Sequence, residues 1–273
     1  MSPILLAVIL VSAIGLIAGL GLAFASVVMA VPVDEKTEQI RACLPGANCG
    51  ACGFSGCDGY AQALSEGKTT NTSLCSPGGA EAAAEIAKVT GLAVSASVPM
   101  TAVVRCRGSR QNAKDKLTYV GIESCRMAVQ VFGGPKECAS GCVGFGDCVA
   151  ECPFEAISIC DGVARVHPDL CHACKKCISV CPKQLIDLVP KGQGIPAVLC
   201  RNREKGAVTR KQCTAGCIGC MKCMKGCEAG AITVKNFCAY VNSELCVGCG
   251  KCVENCPVHC IHIVGGRAVL SEE

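Results

Sequence analysis

The sequence predicts an α+β chain in three parts: one long apolar N-terminal helix, a small helical segment, and two tandem copies of a short-stranded module. Three observations carry that reading. Residues 3–33 contain no charged side chain, cysteine supplies 28 of 273 residues, and residues 125–190 align with 200–265 without a gap, an internal repeat of 75 residues. The boundaries that follow are 1–33 for the apolar helix, 34–98 for the helical segment, and 99–190 and 191–273 for the two modules.

The apolar run exceeds the roughly 20 residues that span a bilayer. No Lys or Arg precedes it, and it is too long for the hydrophobic region of a secretory signal, although Ala23-Phe24-Ala25 resembles a cleavage site. A retained, single-pass anchor through residues 3–33 is therefore expected. Asp34, Glu35 and Lys36 follow it without a basic excess, so flanking charge does not set its orientation. Gly15, Gly19 and Ala23 share one helical face; they suit close approach to another membrane helix, or are the ordinary glycine usage of such helices.

Cysteine at this density means either a disulfide framework or thiolate ligation of metal. Spacing favours metal. Cys171-x2-Cys174-x2-Cys177-x3-Cys181-Pro182 crowds sulfurs around one point, where disulfides would join distant parts of the chain. Three Tyr, six Phe and no Trp leave little aromatic mass for a core, so metal centres would supply much of the cross-linking. Such chemistry places the cysteine-rich parts in a reducing cytoplasm.

In the helical segment, Cys49, Cys52, Cys57 and Cys75 have the x2, x4, x17 spacing that suits one [4Fe–4S] cluster or a structural zinc. Glycines 50, 53 and 56 let the backbone wrap closely. Residues 58–67 read as a helix returning the chain to Cys75, and a second, Ala-rich helix runs from Gly79 to Val89, ending before Gly91. Cys43 falls outside the spacing and reads as a spare thiol.

Nine cysteines superpose between the modules: 125 with 200, 138 with 213, 142 with 217, 148 with 223, 152 with 227, 171 with 246, 174 with 249, 177 with 252 and 181 with 256. Between them, residues 156–160 and 163–167 alternate apolar and polar around Asp161-Gly162, a two-residue hairpin signal that 231–242 echoes. Bacterial two-cluster ferredoxins carry such runs, the fourth cysteine of each run ligating the other cluster. By that rule Cys171, Cys174 and Cys177 take Cys152, and Cys138, Cys142 and Cys148 take Cys181. In the second module Cys246, Cys249 and Cys252 take Cys227, and Cys217, Cys220 and Cys223 take Cys256.

Two departures stand out. Phe145 occupies the middle ligand position of the first run, and the second module carries both Cys213 and Cys220, either of which could complete its set. Five clusters are thus expected. Cys106, Cys125, Cys200 and Cys213 remain, as a sixth cluster joining the modules or as buried free thiols. Cys160, Cys238 and Cys260 read as packing residues.

No Walker loop, dinucleotide-binding glycine pattern or catalytic triad is evident, and no catalytic residue is expected. Residues 101–136 hold seven Lys or Arg against two acids, and 199–225 seven against one. These are solvated faces or a docking surface for an acidic redox partner. Scarce aromatic residues argue against nucleic acid.

Leu44-Pro-Gly-Ala-Asn-Cys49-Gly-Ala-Cys52-Gly-Phe-Ser-Gly-Cys57, then Cys75 with Pro-Gly-Gly, behind a membrane helix and ahead of paired ferredoxin modules, resembles the B subunit of the Rnf complex. The resemblance covers essentially the whole chain. It implies an electron-transfer subunit of a membrane-bound, ion-translocating ferredoxin:NAD oxidoreductase, taking electrons from reduced ferredoxin and passing them to membrane subunits. It also implies that NAD and flavin chemistry belong to partner subunits, and it supports Cys49, Cys52, Cys57 and Cys75 as ligands. The alternatives are an anchored polyferredoxin of another reductase and a non-redox zinc scaffold.

Overall fold

The computed structural model describes residues 3–28, 34–94 and 98–264. The end of the expected anchor (29–33) and the tail of the second module (265–273) lie outside the described residues.

Helix α1 (Pro3–Val28) carries no charged residue, and Ser12 and Ser26 are its two hydroxyl-bearing positions. Residues Pro3–Ser26 are long and apolar enough to cross a membrane, and none of the described side chains there is buried against the rest of the chain. Its 24 residues span about 36 Å, against a hydrocarbon layer of about 30 Å.

Three helices form the next unit: α2 (Glu35–Ala42), α3 (Cys57–Ser65) and α4 (Gly79–Thr90). Asp34 caps α2 by accepting from the Lys36 N–H, and Gly91 ends α4 in the left-handed conformation, as its lack of a Cβ allows. Ile40, Tyr60, Leu64 and Ile86 close a core that also contains Cys57 and Cys75. Tyr60 donates to the Asn71 carbonyl at 2.7 Å, tying the loop before Cys75 to α3.

The remainder follows one plan twice. β1 (Met100–Val104), α5 (Cys125–Gln130), α6 (Asp147–Ala150), β2 (Ile157–Cys160), β3 (Val163–Val166), α7 (Lys176–Val180) and β4 (Ile186–Pro190) make the first half. β5 (Pro196–Val198), α8 (Gly206–Gln212), α9 (Lys222–Lys225), β6 (Ile232–Lys235), β7 (Cys238–Val241), α10 (Lys251–Glu254) and β8 (Ile261–Ile263) make the second. All four sheets are antiparallel pairs: β1 with β4, β2 with β3, β5 with β8, β6 with β7. The β2–β3 hairpin turns on Asp161 (φ 47°) and Gly162 (φ 73°), as expected for that dipeptide. The β6–β7 hairpin makes the same turn with Asn236 (φ 48°) and Phe237 (φ 61°), so Phe237 accepts a backbone strain that Gly162 does not.

Packing follows from composition. In the second half, Cys200, Cys217, Cys223, Cys252, Cys256 and Cys260 supply six of ten core residues, beside Val198, Ile232, Ala239 and Ile261. Sulfur stands where aliphatic side chains would otherwise meet.

Candidate metal centres

Four loops share one backbone pattern. Two and four residues after Cys142, Cys171, Cys217 and Cys246, φ is positive: at Gly144 and Gly146, Ala173 and Lys175, Gly219 and Met221, Gly248 and Gly250. Alternating left-handed residues curl the chain into a cup. Ala173, Lys175 and Met221 adopt a conformation that L-residues ordinarily avoid, and such strain concentrates at functional sites. Each loop enters a short helix whose second residue is a cysteine: Cys148, Cys177, Cys223 and Cys252. The residue between the two left-handed positions is Phe145 in the first loop, and Cys174, Cys220 and Cys249 in the others. Phe145 stacks on Tyr119 with ring centroids 5.3 Å apart.

The structure gathers the thiols into six sets. Cys49, Cys52, Cys57 and Cys75 approach one another beneath α3, where burial and the other three charges raise the Cys75 thiol. Five cavities carry the rest. Cys152, Cys171, Cys174 and Cys177 line one, and Cys227, Cys246, Cys249 and Cys252 another, both as spacing predicts. A third holds Cys217, Cys220, Cys223 and Cys256, so Cys220 and not Cys213 joins that loop.

The last two sets differ from expectation. Cys125, Cys142, Cys148 and Cys181 share a cavity, while Cys138 lies with Cys106, Cys200 and Cys213. Sequence spacing groups Cys138 with Cys142, Cys148 and Cys181, and leaves Cys125 in the extra set. The physical reason for the difference is local. Phe145 vacates a ligand position, and α5 brings Cys125 in from outside the run. Asp147 holds that helix, accepting from the N–H groups of Cys125 (2.9 Å) and Arg126 (3.1 Å) and from the Ser124 hydroxyl (3.0 Å). Cys138 is thereby left for the junction between the two halves. There Cys106 follows β1 as Cys200 follows β5, each two residues past the strand and each accepting an N–H two residues on, from Gly108 (3.3 Å) and Asn202 (3.5 Å).

Contacts link the six sets one to the next. Lys175 beside Cys174 donates to the Ala51 carbonyl of the first unit at 3.4 Å. Cys177 and Cys148 pack in one core. The Cys142 N–H donates to Cys106 Sγ at 3.4 Å, and Cys238 bridges Cys200 and Cys217. Cys223, Cys256 and Cys252 then share the core of the second half.

These sets fit an iron–sulfur core. Burial pushes the Cys138, Cys148 and Cys177 thiols up to about 12, and neighbouring thiolates add to it. Four buried thiols cannot all ionise side by side unless a multiply charged cation sits among them. Among the described residues no three His, Cys, Asp or Glu side chains converge tightly enough to grip a single ion. The thiols instead surround a space, and backbone N–H groups point at sulfur, as from Ala102 to Cys171 (3.3 Å), Ala156 to Cys152 (3.4 Å) and Leu185 to Cys181 (3.4 Å). The Arg107 Nε is buried without a partner beside the junction cavity, as suits an anionic occupant.

Two cysteines expected only to pack stand closer to the chemistry. Cys260 Sγ lies 3.6 Å from Cys256 Sγ and lines the same cavity. Its S–H lowers the Cys256 thiol to about 5 against the burial that would raise it. Cys238 does the same for Cys200, lowering it to about 7. Their spacing from the runs gave no hint of this, since Cys238 reaches the sulfurs from the first residue of β7 and Cys260 from the residue before β8. Cys160 is exposed beside Ser158, and Cys43 donates to the Gln39 carbonyl.

Serial groups of four thiols on a ferredoxin-like hairpin plan define the class, an iron–sulfur electron carrier. Family comparisons agree. The family described as "Putative Fe-S cluster" matches residues 44–77, and the 4Fe-4S binding domain matches 164–187 and 239–262. The chain is 42% identical to the B subunit of the Na(+)-translocating ferredoxin:NAD(+) oxidoreductase complex of Acetobacterium woodii, over 96% of this chain and 78% of that one. It is 38% identical to the B subunit of the ion-translocating oxidoreductase complex of Methanosarcina acetivorans, over 86% and 91%. With the B subunit of the proton-translocating ferredoxin:NAD(+) oxidoreductase complex of Clostridium ljungdahlii the identity is 37%, over 90% and 86%. The chain belongs to the family of B subunits of ion-translocating oxidoreductase (Rnf) complexes, and it is the electron-transfer subunit of a membrane-associated, multi-subunit complex.

Proposed function

We propose that this chain accepts electrons from a reduced ferredoxin and relays them, through six [4Fe–4S] clusters in series, to membrane subunits of a ferredoxin:NAD oxidoreductase. The observation that carries the reading is the succession of six four-cysteine sets, each linked by contacts to the next. When bound, each cluster supplies a one-electron couple whose potential depends on hydrogen bonds to sulfur and on exposure.

The protein's part is to hold those couples apart from water and close to one another. The ligand sets we assign are Cys49, Cys52, Cys57 and Cys75; Cys152, Cys171, Cys174 and Cys177; Cys125, Cys142, Cys148 and Cys181; Cys106, Cys138, Cys200 and Cys213; Cys217, Cys220, Cys223 and Cys256; and Cys227, Cys246, Cys249 and Cys252. Four of these are the sets expected from spacing; the fifth takes Cys125 in place of Cys138, and the sixth, at the junction, takes Cys138 in place of Cys125. The two halves are duplicated ferredoxin modules, a reading supported by hairpins and 4Fe-4S matches that recur 75 residues apart. Residues 3–33 anchor the chain in the cell membrane as a single pass, with the cysteine-rich units on the cytoplasmic side. The basic stretches 101–136 and 199–225 suit an acidic ferredoxin. The relatives' names divide between sodium and proton, so family membership leaves the ion open.

Anoxic purification followed by iron and acid-labile sulfide analysis tests the reading. About 24 of each per chain, with low-temperature EPR signals on dithionite reduction, is expected for six clusters. A colourless protein with zinc and no labile sulfide would refute it in favour of a structural scaffold.

A further inference from the structure

The junction is the most cationic of the five cavities. Arg105, Arg107 and Arg201 line it together with its four cysteines. Asp187 is the one carboxylate that pairs with them among the described residues, and it is shared, at 3.2 Å from Arg105 and 3.4 Å from Arg201. Arg107 has no carboxylate partner among those residues. Its Nη1 meets the His262 ring and its Nε has no partner.

Lys136 adds a fourth cation. It is only 6% exposed, and its ammonium donates to two backbone carbonyls, Gly108 at 2.5 Å and Gly162 at 2.9 Å. Gly108 abuts the junction: a Cβ there would stand 3.5 Å from Cys106 Sγ and 3.7 Å from Cys213 Sγ. Carbonyls satisfy the ammonium's protons but not its charge. A buried cation without an anion is costly, so this arrangement implies an anion nearby. The other four cavities carry at most one cation each in their linings. The one lined by Cys217 carries no charged side chain, that of Cys142 has one cation, Lys183, and one carboxylate, Asp147, in its lining, and that of Cys171 has Lys175 alone. That of Cys246 has Lys251, which Glu228 neutralises at 2.5 Å.

Resting on the six-site reading above, we propose that Arg107 and Lys136 are built-in counter-charges for the junction, making its cluster the most readily reduced station in the chain. The physical basis is the sign of one-electron reduction. Core and four thiolates together pass from a dianion to a trianion when one electron arrives and none leaves. A fixed buried cation favours the trianion and raises the potential. Because the junction lies between the two halves, an electron entering at either end settles there first. Lys136 also lies against Gly141, the neighbour of Cys142, where a Cβ would stand 3.5 Å from its Cδ, so it acts on the neighbouring site as well. Arg107 lines the junction and not the Cys142 cavity, and on its other side its charge reaches Cys260.

The test is an EPR-monitored redox titration of the full-length chain, with iron counted on every sample. The Cys138→Ala variant identifies the junction signal as the one it removes. In the wild type that signal is expected to appear first as the potential is lowered. Arg107→Gln should delay its appearance without changing the iron content, and Lys136→Met should delay both it and the Cys142 site. Because these charges are buried, the shifts should persist at high salt. An unchanged order of reduction in Arg107→Gln with full iron would overturn the proposal, as would a wild-type junction signal that appears late. If Lys136→Met fails to load iron, Arg107→Gln still decides. Iron that stays undiminished in Cys138→Ala would instead count against the six-site reading itself.

Discussion

Pairs of cysteine substitutions can establish which thiols share a site. Of 28 cysteines, Cys43, Cys160, Cys238 and Cys260 lie outside the six sets, leaving four thiols for each set. Fully loaded, the chain then holds about 24 iron, and losing one site removes up to about four. Removing two ligands of one site costs no more than removing the worse of the two, whereas removing ligands of two sites costs their sum. This is the logic of a double-mutant cycle applied to metal content. Cys138 and Cys213 line the junction together, so Cys138→Ala/Cys213→Ala should retain about 20 iron if each single loss empties the site. Cys148 lines the neighbouring cavity, so Cys138→Ala/Cys148→Ala should retain about 16. The assay is colorimetric iron and sulfide against amino-acid-quantified protein, prepared without oxygen. The opposite pattern, additive with Cys213 and non-additive with Cys148, would restore the grouping that spacing alone suggests and refute the arrangement described here.

Other perturbations follow from named contacts. Asp147→Ala removes three hydrogen bonds from the start of α5; it should cost about 1 kcal/mol in denaturant unfolding and diminish the EPR signal lost in Cys125→Ala. Burial opposes ionisation of Asp147, but its hydrogen bonds prevail and hold its pKa below the ordinary carboxylate value. Its contribution is therefore present above the unfolded-state pKa and lost as pH falls through the folded one, a dependence that Asp147→Asn should flatten. At Gly144 (φ 88°) a Cβ would stand 2.4 Å from the Gly162 carbonyl, so Gly144→Ala should destabilise by at least about 2 kcal/mol. Gly67 has a similar φ with open space around it, and Gly67→Ala should cost about 1 kcal/mol, leaving the difference as the steric share. Deleting residues 1–33 should release the chain from membranes in a flotation assay while its iron content stays unchanged.

Much of this architecture is legible from spacing. The Cys171–Cys181 and Cys246–Cys256 runs, the Asp161-Gly162 turn and the helix after Cys57 follow short-range rules, and the structure has the expected elements there. The junction is harder to read because a gapless alignment sets Cys125 opposite Cys200. In the structure Cys106 stands in the place equivalent to Cys200, and the first half carries a longer segment before Cys138, in which Cys125 opens α5. A trace is present in Val104-Arg105-Cys106-Arg107 beside Val198-Leu199-Cys200-Arg201, two short echoes out of register with the main repeat. Cys238 and Cys260 leave no trace at all. Their approach to ligand sulfurs depends on how β7 and β8 lie over the loops, a long-range matter that local spacing does not encode.

The sulfur-filled core of the second half has a consequence for biosynthesis. A newly made second half whose core is six cysteines and four small or aliphatic residues has little oily surface to collapse upon. Its compaction waits on delivery of iron and sulfide by the cell's assembly machinery, so maturation and folding become one event. A chain that misses delivery stays open to proteases, and the cell can discard unloaded copies before they reach the membrane complex. Oxygen damage at the exposed Cys220 and Cys249 would run the same event in reverse, coupling loss of a cofactor to removal of the polypeptide.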